Sequence, residues 1–361
     1  MARLTLALTL AGLLAAGASA AEPSTADSLA ALPTYVAAPQ VSGVIRTSGS
    51  ELAGLLALWE ADFTRLQPGV RFENHLQSGD AAIGALESGS ADVAVNGREP
   101  VLTEFLSFAE VFGNDGPFQV AVATGSADKL GRTWAEVIYV NRQNPLAHLT
   151  LAQLDGVFGA ERSGGYRGYK WTTRLARGPE HNIRTWGQLG LTGKWAKAPI
   201  HTYGYAPTGM SNFFELTVFH GGTKWNPNYR QYVEASAKQA TDRASGTDQM
   251  LDDLEADPLG IAWAGLAHGQ GRAKVKVLAL AAEAGGPFVA PSRETVGART
   301  YPLTRSIFMQ MNRPPGAPLP PPLEAFLRYV LSREGQAQVR AQGDYLPLTT
   351  AELERQRKTL D

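Results

Sequence analysis

The chain has 361 residues, with 33 Lys+Arg against 34 Asp+Glu and a formal net charge of −1. That balance excludes the basic footprint of nucleic-acid or anionic-membrane binding, so any anion must be held by local geometry. The absence of cysteine excludes disulfides and Cys-based metal sites, and leaves a chain long enough for roughly two domains to rely on its own core.

Met1-Ala2-Arg3 is a short basic start, residues 4–16 are apolar apart from Thr and Gly, and Ala18-Ser19-Ala20 places small residues where a signal peptidase reads. The apolar run is too short to cross ~30 Å of hydrocarbon, so residues 1–20 are predicted to be a cleaved signal peptide. No Cys follows it to carry a lipid, and the mature chain is expected to be soluble. Residues 21–40, rich in Ala, Pro and Ser, read as a disordered lead-in.

From residue 41 short apolar strands alternate with amphipathic helices. Residues 41–47 are predicted as a strand, and residues 51–66 as a helix on the spacing of Leu55, Leu56, Trp59, Phe63 and Leu66. Strands are predicted at 70–75, 91–95, 119–124, 137–141, 199–203, 259–264 and 301–311. Helices are predicted at 81–87, after Thr150, at 211–220, at 247–256 and, past the proline-rich stretch 314–322, at 324–342. This alternation implies βαβ units and mainly parallel sheets. Residues 160–181, rich in Gly, Arg and Tyr, read as an exposed loop. Its Arg162–Arg177 stretch is open to two readings, a partner-binding element or a solvated insertion.

Three helix starts share one design: Thr47-Ser48-Gly49-Ser50, Gln77-Ser78-Gly79-Asp80 and Thr208-Gly209-Met210-Ser211. Each puts a hydroxyl and a glycine where unpaired N–H groups and the positive end of a helix dipole point outward. One such start is an ordinary cap. Three of them after parallel strands point to an anion held beyond the carboxyl ends of the sheets. The six histidines (75, 148, 181, 201, 220 and 268) are scattered, with no His-Glu-x-x-His and no Gly-x-Ser-x-Gly, so no hydrolytic centre and no metal site is indicated.

The segments Val44-Ile45…Gly49-Ser50, Ser78-Gly79…Asp92-Val93-Ala94, Val140-Asn141…Asn144-Pro145, Trp186-Gly187-Gln188-Leu189-Gly190, Thr208-Gly209, Tyr301-Pro302-Leu303…Arg305 and Gly343…Leu346-Pro347-Leu348 occur in an order that resembles the periplasmic phosphate-binding proteins of phosphate-specific ABC transporters. The resemblance implies an α/β, two-lobed Venus-flytrap fold, each lobe a mainly parallel sheet flanked by helices. Lobe 1 would comprise residues 41–135 plus 300–350, lobe 2 residues 136–299, and residues 351–361 a C-terminal tail. It further implies a periplasmic, monomeric, non-enzymatic protein without cofactor, whose partners are inorganic phosphate or a related oxyanion and an ABC transporter permease. Carried over residue by residue, the anion-binding candidates are Ser50, Glu51, Ser78, Gly79, Asn96, Arg98, Thr208 and Gly209.

The departures fall on the site. Gly204 and Met210 stand where the family's third loop has an arginine and a hydroxyl, and Glu51 where its first loop has Ser or Thr. Asn96-Gly97-Arg98 leaves Arg98 as the best cation. Glu51 and Asp80 read either as acceptors for a proton-bearing phosphate oxygen or as solvent-facing charges on helix dipoles. The same fold with another oxyanion or a small organic anion, or with a sensing or scaffolding role, is the alternative.

Overall fold

The computed structural model describes residues 29, 32–36, 39–50, 52–207, 209–234 and 245–361. The signal peptide, Glu51 and Thr208 lie outside the described residues. The strands of the two main sheets are β1 (Ser42–Gly49), β2 (Gly69–His75), β3 (Val93–Asn96), β4 (Phe118–Thr124), β5 (Glu136–Asn141), β6 (His201–Tyr205), β7 (Arg230–Tyr232), β8 (Gly260–Gly265), β9 (Val275–Val277) and β10 (Ser306–Met311).

One sheet has the order β2-β1-β3-β10-β4 and the other β7-β6-β8-β5-β9. β1 runs parallel to β2 and β3, and β10 runs antiparallel to β3 and β4. In the second sheet β6, β7 and β8 are parallel, while β5 opposes β8 and β9. Each sheet is thus parallel but for one reversed strand. The chain enters the second sheet by β5 and returns to the first by β10. The two crossings lie side by side: Gly125 N donates to Arg305 O (2.9 Å) and Glu136 N to Leu303 O (3.0 Å), and Tyr301 Oη donates to Glu136 O (3.0 Å).

Each sheet has its own core. On the first, α1 (Ala53–Leu66) buries Leu55, Leu56, Trp59 and Phe63 completely, the face its i, i+3/i+4 spacing dictates. Each such side chain contributes roughly 1.5–3 kcal/mol by leaving water. The second core is aromatic: Trp263 stacks on Phe214 at 5.2 Å, and Trp225 on Tyr229 at 4.3 Å. These offset stacks add about 0.5–1.5 kcal/mol per pair beyond area.

Several elements differ from the sequence expectation. The last helix is two, Pro321–Val330 and Arg333–Gln342. Ser332 Oγ caps the second by accepting from Gly335 N, and Gly335 is needed because a Cβ there would sit 2.4 Å from Tyr329 O. Residues 301–305 are a turn closed by Thr304 Oγ1 donating to Tyr301 O, and the strand begins only at Ser306. Residues 351–361, expected as a tail, fall largely within the helix Thr350–Leu360, with Leu353 and Leu360 in the first core. Within the lead-in, Leu29 and Leu32 are buried, and Arg333 Nη2 donates to Leu32 O (2.8 Å). The 160–181 stretch holds a small hairpin, Gly165–Arg167 with Lys170–Thr172, whose tip residues Gly168 and Tyr169 both have positive φ as a two-residue primed turn requires.

Gly49 ends β1 at φ +147°, and a Cβ there would lie 2.1 Å from Val95 O. Gly49→Ala is therefore expected to destabilise the chain by roughly 2–4 kcal/mol. Gly84→Ala, on a helix with nothing within 4 Å, should be neutral or stabilising by about 0.5–1 kcal/mol. Denaturant unfolding of both variants checks this, and equal stability would remove the close approach at Gly49.

Candidate functional site

The first two loops are welded together where β1 and β3 end. Ser78 N donates to Gly49 O (3.1 Å), and Ser78 Oγ accepts from Asp80 N (3.3 Å), the cap of a short 3-10 turn leading into α2 (Ala82–Glu87). A Cβ on Gly79 would meet Asn96 Oδ1 at 2.9 Å and Ser50 Oγ at 3.1 Å. Glycine at 79 therefore lets Ser50 and Asn96 converge on one point of backbone. Asn96 is held in turn by Gln310 of β10, whose Nε2 also donates to Arg98 O (3.1 Å).

Arg98 follows β3 and is buried, with 7 % exposure. Its guanidinium grips Glu104 of α3 (Leu102–Phe112) in a fork, at 2.6 and 2.8 Å, and Nη2 reaches Asp80 Oδ1 at 3.2 Å. Burial works against the charge, but the bonds to Glu104 and Asp80 outweigh it and hold Arg98 above its ordinary value. The Glu104 fork is the strong contact. The Asp80 carboxylate is 86 % exposed and adds little.

The third loop arrives from the opposite lobe. A Cβ on Gly209 would lie 2.8 Å from Arg98 Nε and 3.5 Å from Asp80 Oδ1. Ser50, Ser78, Gly79, Asn96, Arg98 and Gly209 are thus brought to one cleft, with Glu51 and Thr208 outside the described residues. Two further contacts cross this cleft. Asn212, at the start of α4 (Asn212–Val218), donates to Glu99 O (3.0 Å). Tyr169 donates to Pro100 O (2.6 Å) and stacks on Phe105 with centroids 4.2 Å apart.

The sequence reading did not pick out Arg305 or Glu136 as site residues. Arg305 is 6 % exposed. Its Nη2 donates to Gly97 O (2.9 Å), its Cζ lies 5.5 Å from the Phe213 ring of α4, and its Nε has no partner among the described residues. It therefore spans the end of β3 and the third-loop helix. Glu136 is fully buried, and neither carboxylate oxygen accepts a hydrogen bond from a described residue. Burial pushes it up to about 8; Arg305 opposes this, while Glu99 and Glu215 add to it. Arg305 stood within the Tyr301-Pro302-Leu303 match, and its charge amid an apolar run was the available signal. Nothing local to Glu136 announces its role, because the role comes from the crossing of the linkers.

Among the described residues no group of His, Asp and Glu could hold a metal ion, and no helix is long and apolar enough to cross a membrane. Two lobes on reversed strands, with loops from both meeting at glycines, define the class, and a profile described as the PBP superfamily domain matches residues 18–334. The chain belongs to this superfamily. More narrowly, it is 32 % identical over 360 residues to the phosphate-binding protein PstS of Pseudomonas aeruginosa PAO1, covering 99 % of this chain and 98 % of that one, and equally to PstS of strain UCBPP-PA14. Among solved structures, the fold is shared with an ABC-type phosphate transport receptor from Vibrio cholerae (TM-score 0.50, 15 % identity, 84 % of this chain and 99 % of that one). It is shared also with PstS from Borrelia burgdorferi (TM-score 0.50, 14 % identity, 86 % and 100 %).

Glu136 yields a pH prediction. Its folded value of about 8 stands above an unfolded value near 4.5, so the folded state holds a proton that the unfolded state has lost. Stability present below pH 4.5 is then lost as pH rises through about 8, by up to ~1.4 kcal/mol per unit. Glu136→Gln should flatten that decline, measured as Tm against pH; parallel profiles for the two proteins would show that Glu136 titrates normally.

Proposed function

We propose that this chain is a periplasmic solute-binding protein that captures inorganic phosphate between its lobes and hands it to an ABC transporter permease, without catalysis. The observation that carries this is the meeting of Ser50, Gly79, Asn96 and Arg98 of one lobe with Gly209 of the other. The relatives named as phosphate-binding proteins support the same cargo. The mature chain acts as a monomer in the periplasm once residues 1–20 are removed.

The cleft holds its ligand by directed donors. Micromolar affinity needs about 8 kcal/mol, and hydrogen bonds to a charged group contribute roughly 1.5–3 kcal/mol each. Ser78 N, Asp80 N and Asn96 Nδ2 are already bonded within the loops, so the donors offered to the ligand are the Ser50 hydroxyl and the remaining N–H groups of the first two loops. Glu104 and Asp80 already offset the charge of Arg98. Arg305, with Nε unsatisfied, supplies positive potential from the cleft floor in place of the arginine that Gly204 lacks. Asp80, paired with Arg98 at the cleft, is the described carboxylate placed to accept from a protonated phosphate oxygen and to disfavour fully deprotonated sulfate.

Calorimetric titration with phosphate, sulfate and molybdate tests the reading. Heat is expected with phosphate, and silence with all three would overturn it. Heat confined to sulfate or molybdate would assign another oxyanion. Arg98→Ala and Arg305→Gln should each weaken phosphate at least tenfold, and an unchanged Kd would remove that residue from the site.

Tyr169 offers a separate check on closure. Its stacking and hydrogen bond exist only when the lobes meet, and together they contribute about 1–3 kcal/mol. Tyr169→Ala is expected to speed phosphate release roughly tenfold in stopped-flow dissociation; an unaltered rate would mean that the contact plays no part in holding the closed form.

A further inference from the structure

Gln310 holds the cleft residue Asn96 from the middle of the first sheet. It interrupts the apolar run of β10 and is completely buried. A carboxamide buried without partners is costly, and here each polar atom is engaged. Gln310 lies opposite Gln119 of β4, and Phe308, two residues earlier on the same face, lies opposite Asn96 at the end of β3. The side chains of Gln119, Gln310 and Asn96 therefore share one face of the sheet, and their amides form a chain.

Two backbone carbonyls set the direction of that chain. Gln310 Nε2 donates to Arg98 O (3.1 Å) and to Gln119 Oε1 (3.0 Å), which leaves Oε1 to face Asn96. Asn96 Nδ2 then donates to Gln310 Oε1 and to Gly79 O, each at 3.4 Å. Reversing either amide would set oxygen against oxygen, Gln310 on Arg98 O or Asn96 on Gly79 O and Gln310 Oε1 together. The donors of Asn96 are thus spent inside the lobe, and Oδ1 is turned outward. It crowds the Cβ position of Gly79 at 2.9 Å, alongside Ser50 Oγ at 3.1 Å. Among the described residues it accepts no hydrogen bond, and unlike the Glu136 oxygens it is not sealed from water.

An acceptor beside Ser50 changes what the cleft holds. An anion with a hydroxyl donates to it, whereas an anion of bare oxygens meets its lone pairs and is disfavoured. Asp80 acts in the same sense, but it is 86 % exposed and already paired with Arg98. We propose that Gln310 is a positioning residue of the cleft: by holding the Asn96 amide inside the lobe it aims Oδ1 at the ligand, and so makes Asn96 an acceptor that selects oxyanions bearing a proton. This rests on the reading of the cleft as a phosphate site and concerns its selectivity.

The test is calorimetry at pH 7 with phosphate, and with sulfate measured by displacement of bound phosphate. It compares the native chain, Gln310→Met, Asn96→Ala and the double variant. Methionine keeps the volume of Gln310 but removes its amide, which frees Asn96 to reverse and present Nδ2. The ratio of sulfate Kd to phosphate Kd is expected to fall at least tenfold in Gln310→Met, with sulfate bound no more weakly than by the native chain. Asn96→Ala should lower the ratio by a similar factor, and adding Gln310→Met to it should change the ratio no further, because Gln310 acts through Asn96. Both Kd values rising together in Gln310→Met, with the ratio unchanged, would show a merely structural role and overturn the proposal. A further fall in the double variant would overturn it as well. Should Gln310→Met fail to fold, Asn96→Ala decides, and an unchanged ratio there overturns the proposal. Silence of the native chain towards both anions would instead overturn the phosphate reading, and this proposal with it.

Discussion

Two chain segments pass between the sheets, and their pairing governs everything placed above them. Gly125 N to Arg305 O, Glu136 N to Leu303 O and Tyr301 Oη to Glu136 O tie the outgoing and returning strands into one narrow band. Bending at a narrow pair of crossing strands is the usual route by which two-lobed proteins close around a ligand. The same band sets Arg305 under the end of β3 and fixes the depth at which Glu136 is buried. A shift in this pairing would move the floor of the cleft together with Arg305 and the Glu136 carboxyl.

Above that floor the chemistry is one of close backbone approach. Gly79 and Gly209 stand where a side chain would strike Asn96 Oδ1 and Arg98 Nε. The first glycine lets two loops of one lobe converge, and the second lets the other lobe come down upon them. Charge is handled sparingly. Arg98 is matched by Glu104 and Asp80, and Arg305 lies in reach of the Glu99 and Glu136 carboxyls. This local balance agrees with a chain whose formal net charge is −1. Discrimination in such a cleft rests on the direction of donors and acceptors more than on potential.

The layout of the sheets and the three glycine-bearing helix starts were legible in the sequence, because period and turn chemistry are local signals. Leu55, Leu56, Trp59 and Phe63 declared their helix by spacing alone. Asn96 and Arg98 were reachable because they end a short apolar strand. Arg305, Glu136 and Tyr169 depend on tertiary placement. Arg305 matters through Gly97, 208 residues away in the chain, and Tyr169 through Pro100 and Phe105. The break between Val330 and Arg333 was masked by a helical apolar pattern that continues through Leu331, where the chain turns on the Ser332 cap. The 160–181 stretch read as exposed because its composition is polar, yet Arg162 and Arg177 turn inward on Asp155.

The order of strands in the first sheet carries a consequence for how the molecule is assembled. β10 lies between β3 and β4, although it begins about 210 residues after β3 ends and about 180 after β4 ends. Until it arrives, β4 has no neighbour within that sheet to pair with. The last helix then secures the exposed side of β4, where Gln356 Oε1 accepts from Ala121 N (2.9 Å), and Leu346 bridges Thr124. In the second sheet β5 likewise waits for β8, but all of its strands come from the single stretch between Glu136 and Val277. As the chain emerges from its N-terminus, the second lobe is able to form first, while the first lobe keeps an unpaired strand edge open until its final residues are delivered.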